Sequence, residues 1–294
     1  MDCMFSGETP NNEEHIIPRW LQRKFSLHDL KLCIPNGTTL PYKFAKVPVK
    51  DEHNSEFGKI ENNISNGRYD LNEIYLWALK IHIGMIYRDS SLKSDIRSPE
   101  SPMIVDVGDY NSEVQFFRYL YRLWKSGGTT NPSPLGSVFL FDSLTPNHAF
   151  DFFHCFLTGT VCLNIGKKFI AVFLWDQTDG LKTDMESVWL NHHKSTIDRM
   201  ANVDEKNSHA YMAHHIWACE SAYWLSRYRR AFKFIKTKNS FNLISSMSHP
   251  EPHPENENDY KYICRSFNLD LLEFHGRSGN KYAQFNINDL LKTK

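Results

Sequence analysis

The chain has 294 residues, 41% of them hydrophobic, which is enough to build a sizeable core and excludes a disordered chain. Lys plus Arg and Asp plus Glu number 34 each, so no global charge draws the protein to nucleic acid and any such pull must be local. No apolar run approaches the roughly 20 residues of a membrane span, and the polar opening MDCMFSGETPNNEE is unlike a signal peptide. The six cysteines lack the spacing of a disulfide framework, so reduced thiols in a cytoplasmic protein, with no membrane partner, are expected.

In chain order, residues 1–66 are polar and turn-rich, the pattern of a small unit that carries a site. Helical periodicity starts after Asp70, where Leu71, Ile74, Tyr75, Ala78, Ile81 and Met85 recur three or four residues apart. Asp70 reads as the N-cap, with Glu73 placed for a capping box. A second helix is expected over Ser112–Lys125, burying Val114, Phe117, Leu120 and Tyr121 and stopping at Gly127-Gly128. Helices therefore fill 70–126. Short β-branched and aromatic runs then predict an antiparallel sheet over 137–176, with IGKK as a hairpin turn. Helices are expected at 182–202 and 207–237, a Pro-rich acidic loop at 248–259, and short strands with a final helical turn from Lys261 onward. The expected organisation is α+β: a site-bearing unit at 1–66 and a larger mixed domain at 67–294 with an antiparallel sheet and helices.

The segment EHIIPRWLQRK places Glu14 beside His15. Neighbouring strand residues point to opposite faces, so only a distorted local structure would bring the two side chains to one site. Four features occur in order: Cys3-x-x-Ser6, Glu14-His15-Ile16-Ile17-Pro18, Lys50-x-x-His53 followed by Asn54, and a helical stretch bearing Glu61. This order, over residues 3–61, resembles the HNH nucleases of the His-Me finger (ββα-metal) class, in the subgroup built on a zinc-stabilised treble clef.

The resemblance implies that Glu14 and Asn54 hold one Mg²⁺ or Mn²⁺ and that His15 is the general base. Phosphodiester cleavage suits those types: a neutral imidazole accepts a proton near pH 7, and carboxylate and amide oxygens suit a hard divalent cation. The family's four zinc cysteines fall on Cys3, Ser6, Lys50 and His53. Lysine and serine cannot complete a tetrahedral zinc site, so the structural zinc is expected to be lost, with Cys3 and His53 as relics. His53 has a second reading as an extra group near the active metal. Glu61 is either another site carboxylate or a solvated helix residue.

Two basic stretches are candidates for the phosphate backbone. Arg19, Arg23 and Lys24 flank the EHIIP segment, and Arg227, Arg229, Arg230 and Lys233 lie in AYWLSRYRRAFKFIKTK, which otherwise reads as a solvated amphipathic helix. The histidines at 192, 193, 209, 214 and 215 lack metal-ligand spacing. Asp176 and Asp179, in WDQTDG, read as turn residues. The expected function is that of an HNH-type, metal-dependent endonuclease acting on DNA, in phage defence or a mobile element, with a partner protein to target or activate it; RNA stays open as substrate. The alternative is a catalytically silent binding or assembly protein on the same fold.

Overall fold

The computed structural model describes residues 1–128, 135–143, 147, 149–176, 181, 214, 217–219, 221–223, 225–226, 232–236, 241–245, 257–267, 273–275 and 281–283. The chain is mixed α+β with antiparallel pairing, and it divides into two compact units, Met1–Pro132 with Ala231–Met247 and Ser133–Arg230 with Ser248–Lys294.

In the first unit, β1 (Asn12–His15) pairs antiparallel with β4 (Lys46–Val49), setting Glu14 opposite Val47 and His15 opposite Lys46. Between them lie the short helix α1 (Arg19–Lys24) and the hairpin of β2 (Lys31–Cys33) with β3 (Thr39–Pro41). Helix α2 (Asp51–Ser65) follows β4 directly and buries His53, Phe57, Ile60 and Ile64, the stripe that a 3.6-residue repeat places on one face.

Helix α3 (Leu71–Asp89) starts where the sequence predicts: the Asp70 carboxylate accepts from the backbone N–H of Asn72 and Glu73, at 2.9 and 3.0 Å. The capping box is not completed, because Glu73 accepts instead from the Asn63 amide. From Ile74 to Asp89 every residue of α3 is buried, so this helix is central, not a surface helix. Helix α4 (Asn111–Lys125) matches its predicted range and buries Val114, Phe116, Phe117, Leu120 and Tyr121.

Helices α3 and α4 belong to the same compact unit as the first 66 residues, so that unit runs past the boundary expected at residue 66. The reason is packing. Phe5 sits among Phe57, Phe117 and Tyr121, with ring centroids 4.8–5.4 Å apart. Gly84 of α3 lies so close to Ile16 that an added Cβ would be 3.1 Å from it.

A second difference lies at 232–236. The sequence reads as helix through 237, yet β9 (Phe232–Lys236) pairs antiparallel with β10 (Phe241–Ser245), with Lys233 opposite Ile244. The alternating FKFIK pattern suits a strand, and hairpin pairing overrides the helical character of the residues before it.

The second unit contains the predicted sheet: β5 (Ser137–Asp142), β6 (Phe150–Cys155), β7 (Thr160–Ile165) and β8 (Lys168–Phe173), in spatial order β5-β8-β7-β6. Gly166 takes φ 68° at the β7–β8 turn, the left-handed conformation that the IGKK reading requires. Phe139, Phe153, Phe169 and Phe173 pack with Cys155, Cys162, Trp217, Cys219 and with Ile263 and Phe267, the latter two from α5 (Glu257–Ser266) and the residue after it. Helix α5 occupies part of the stretch where the sequence predicts strands; β11 (Glu273–His275) and β12 (Lys281–Ala283) supply the strands further on. The five cysteines at 3, 33, 155, 162 and 219 are free thiols. The predicted helix at 182–202 lies outside the described residues. Among the described residues, no helix is long and apolar enough to cross a membrane.

Candidate functional site

The EHIIP segment divides its chemistry between two places. Strand alternation sends the Glu14 carboxylate to α3, where Lys80 Nζ donates to Oε1 at 2.9 Å. The same ammonium donates to Glu61 Oε1 of α2 at 3.1 Å and to the backbone carbonyl of His15 at 2.7 Å. None of the Lys80 side chain reaches solvent, and the Glu14 and Glu61 side chains are only 13% and 14% exposed.

Gly84 sets this geometry. Without a side chain at 84, α3 closes on Ile16, and Lys80, one turn earlier on the same face, comes into reach of residues 14 and 15. Burial disfavours the charge on Lys80, but Glu14 and Glu61 outweigh it and hold the ammonium above its ordinary pKa. One ammonium cannot balance two buried carboxylates. Burial, with the neighbouring Glu14 charge, therefore pushes the Glu61 carboxyl up to about 7 against the pull of Lys80.

The His15 imidazole takes the other direction. Its Nδ1 accepts from Arg19 Nε at 3.3 Å, which fixes the neutral tautomer that carries its proton on Nε2. Burial first, then the Arg19 guanidinium, lowers the His15 pKa, with Glu14 opposing them. The ring is buried at 6% exposure yet borders an open basin of about 770 Å³. Arg19, Arg23, His28, Lys43 and Lys46 also line the basin, Arg19 and Arg23 from successive turns of α1. Lys43 is paired with Asp29 at 2.6 Å and Lys46 with Glu13 at 3.2 Å. Among the described residues Arg23 has no such partner. Lys24, one residue on, lies over the rings of Trp20 and Phe25, at 6.0 and 5.4 Å, instead of lining the basin.

Asn54 sits in the first turn of α2, on the same stripe as Gly58 and Glu61; its backbone N–H bonds the Lys50 carbonyl at 3.1 Å, and its side-chain amide has no hydrogen-bond partner among the described residues. Glu61 is seven positions on from Asn54, roughly 10 Å along the helix axis. His53, on the neighbouring face, is carried elsewhere. Its Nδ1 lies 3.1 Å from the Tyr121 hydroxyl, which donates to Glu56 at 2.8 Å. Its ring packs near Phe5, and its Nε2 is 3.5 Å from Glu52. The structure thus places His53 with the 3–8 turn and not with Glu14.

That turn is closed by protein groups. The N–H of Gly7 bonds the Cys3 carbonyl, the N–H of Cys3 bonds the Glu8 carbonyl, and the N–H of Met4 bonds Pro48 of β4. From α4, Arg118 donates to the carbonyls of Cys3 and Met4, at 3.0 and 3.2 Å. Gly7, at φ 81°, leaves room for that guanidinium, because a Cβ there would come within 2.7 Å of it. Lys50 clasps Glu8 at 2.6 Å across the turn. Glu8, Glu52 and His53 bring potential ligand atoms within 4.8 Å of one another, with the Lys50 ammonium already on Glu8.

In the second unit, Asp176 is buried and accepts from the Ser137 hydroxyl at 2.5 Å and the Leu181 N–H at 3.1 Å. The His214 ring stacks against both Phe141 and Phe169, at 5.0 and 5.2 Å, and burial pushes its pKa down to about 4. Arg227, Arg229, Arg230, Asp179 and the histidines at 192, 193, 209 and 215 lie outside the described residues.

Sequence reasoning missed Lys80. The signal was present, since LWALKIHIG sets a lysine among residues apolar on every face of a helix. Such a lysine must be paired.

No protein-family model, curated protein or solved structure matches the chain.

The divalent cation implied by the HNH resemblance can be tested against these residues. Glu14 and Glu61 meet at a point that the Lys80 ammonium fills, and His53 is turned to Tyr121. Of the implied ligands, Glu14 is held by the Lys80 ammonium and Asn54 lies in the first turn of α2, seven positions before Glu61; the set Glu14, Asn54, Glu61 and His53 does not fit a metal at the point that Lys80 fills.

Proposed function

We propose that the basin beside His15 binds the phosphodiester backbone of DNA and that the unit built from β1, β4 and α2 is an HNH-like, His-Me finger endonuclease in which His15 is the general base. The observation that carries this reading is the His15 imidazole bordering a basin with Arg19, Arg23 and Lys46 around it, its Nδ1 covered only by the Arg19 guanidinium. The order of the EHIIP, x-x-His-Asn and helical Glu61 motifs supports it.

A phosphate entering the basin draws the Arg19 guanidinium into a charge-assisted hydrogen bond. That frees His15 Nδ1 to take a proton from an attacking water. The water oxygen forms its bond to phosphorus, the bond to the leaving sugar oxygen breaks, and that oxygen takes a proton from solvent. Arg23 and Lys46 offset the charge that develops on the phosphoryl oxygens. The low pKa of His15 keeps it competent to accept a proton at neutral pH.

Plasmid nicking and binding measured on the full chain test this. His15→Ala should lower cleavage about 10²–10⁴-fold with binding nearly unchanged. Loss of binding to the same degree would make His15 a contact residue instead. Neutralising Arg19, Arg23 and Lys46 should weaken binding and reduce its log–log salt slope by about 0.9 per lost phosphate contact on duplex DNA. An unchanged slope removes the basin from the binding surface.

One observation favours a second reading, a binding protein on the same fold without cleavage: the Glu14 carboxylate is already bound to Lys80. Salt-dependent binding with no nicking, and with no cleavage of RNA in parallel, selects it.

A further inference from the structure

We infer that the Lys80 ammonium is a built-in cation, joining Glu14, Glu61 and the His15 carbonyl as a divalent ion would, so that the protein takes no Mg²⁺ or Mn²⁺ at that point and acquires such a site when Lys80 is removed. Lys80 lies on α3, outside the 3–61 segment that carries the HNH resemblance, and it holds whether or not the basin cleaves nucleic acid.

An ammonium has three N–H donors and no acceptor. All three are used here, at 2.9 Å to Glu14, 3.1 Å to Glu61 and 2.7 Å to His15 O. The carbonyl of Ile16 stands at 3.5 Å as a fourth oxygen. Around Nζ the acceptor shell is thus all oxygen, two carboxylates and main-chain carbonyls, the hard donor set of Mg²⁺ and Mn²⁺.

The distances are those of hydrogen bonds. Mg²⁺ requires oxygens at about 2.0–2.1 Å, so an ion and Nζ cannot share the point. Charge points the same way: a dication beside a buried ammonium would be repelled by it with little solvent between them. Gly84 of α3 lies against Ile16, so the helix that carries Lys80 packs directly on the segment that carries Glu14 and His15.

The test is a Mn²⁺ titration of the full chain, read by electron paramagnetic resonance of the free ion and by thermal melting. A Glu8→Gln background removes the surface cluster of Glu8, Glu52 and His53. The parent should bind no Mn²⁺ tightly, and its melting temperature should not respond to Mn²⁺ or to chelator. Lys80→Ala should gain one Mn²⁺ per chain and melt higher with the ion than without it. Adding Glu14→Gln should abolish both gains.

A folded Lys80→Ala protein with no gain in Mn²⁺ binding overturns the inference. So does one tight Mn²⁺ in the parent that Glu14→Gln removes, a measurement that needs no Lys80 variant and decides the matter if Lys80→Ala does not fold. Nicking activity enters none of these readouts, so failure of the nuclease reading leaves the outcome distinct.

Discussion

Lys50 and Lys80 each clasp carboxylates in the same compact unit, the first at the rim of the 3–8 turn with 31% of its side chain exposed, the second with none. Lys50 meets one glutamate, Glu8, in water's reach; Lys80 meets two that are nearly buried. The contrast is one of desolvation. An exposed pair exchanges solvent contacts for protein contacts at little net change, whereas a buried ammonium and its carboxylates depend on one another for all their charge compensation. The same residue type is thus replaceable at one position and indispensable at the other.

The largest expected effect is at Lys80. Lys80→Met should destabilise the protein by about 3–5 kcal/mol, the usual cost of removing one partner of a buried pair, measured by urea unfolding at pH 7. The loss should shrink in acid, where the Glu61 carboxyl, already pushed up to about 7, takes up a proton. A loss that is the same at pH 5 and pH 7 would mean that packing and not charge is at stake.

Acid titration sharpens the contrast further. His82 of α3 is buried and its pKa is pushed down to about 3, so it contributes stability above its ordinary 6.5 and loses it as pH falls from 6.5 towards 3. His15, also lowered, adds to the same slope. Glu61 has the opposite sign. Raised from 4.5 to about 7, it keeps in the native state a proton that the unfolded chain releases, so its contribution is present below 4.5 and lost as pH rises to about 7. Between 4.5 and 6.5 the slopes oppose each other. Glu61→Gln should uncover the histidine slope, about 1.4 kcal/mol per pH unit for each proton taken up. A variant whose stability changes with pH as the wild type does would show that Glu61 titrates normally.

Gly84→Ala comes next. The added methyl meets Ile16 at 3.1 Å and strains α3 against the EHIIP segment, while helix propensity improves. The balance should be a net loss of about 1 kcal/mol, with a melting curve that stays cooperative. A gain in stability would mean that Ile16 yields freely and that the spacing of Lys80 from Glu14 is not set there. Lys50→Ala should have the smallest effect, no shift in the unfolding midpoint beyond experimental scatter. A clear loss would make the surface clasp a structural part of the 3–8 turn.

Local patterns announce the elements that depend on local chemistry. Asp70 caps α3 through its own carboxylate, Val114, Phe117, Leu120 and Tyr121 form the stripe of α4, and Gly166 turns β7 into β8. The sequence also set Arg19, Arg23 and Lys24 next to His15 by adjacency alone; α1 then turns Arg19 and Arg23, four apart on one face, to the basin and leaves Lys24 out of it. What it did not disclose rests on distant contacts. Nothing within 3–61 reveals that Glu14 meets Lys80, 66 residues away, or that Tyr121 takes His53, 68 residues away. The strand at 232–236 was hidden for a related reason: its character comes from pairing with 241–245, and the residues before it favour helix.

Glu14, Glu61 and Lys80 come from three separate pieces of chain, β1, α2 and α3, and each leaves a charge stranded unless the other two arrive. This makes assembly of the unit all-or-none. A chain ending at residue 66 would hold two carboxylates side by side with no cation and would expose Ile16 to water, so the shortest stretch of the N-terminal region able to fold cooperatively must reach through α3. The lysine acts as a latch that registers, at a single atom, whether all three segments have docked.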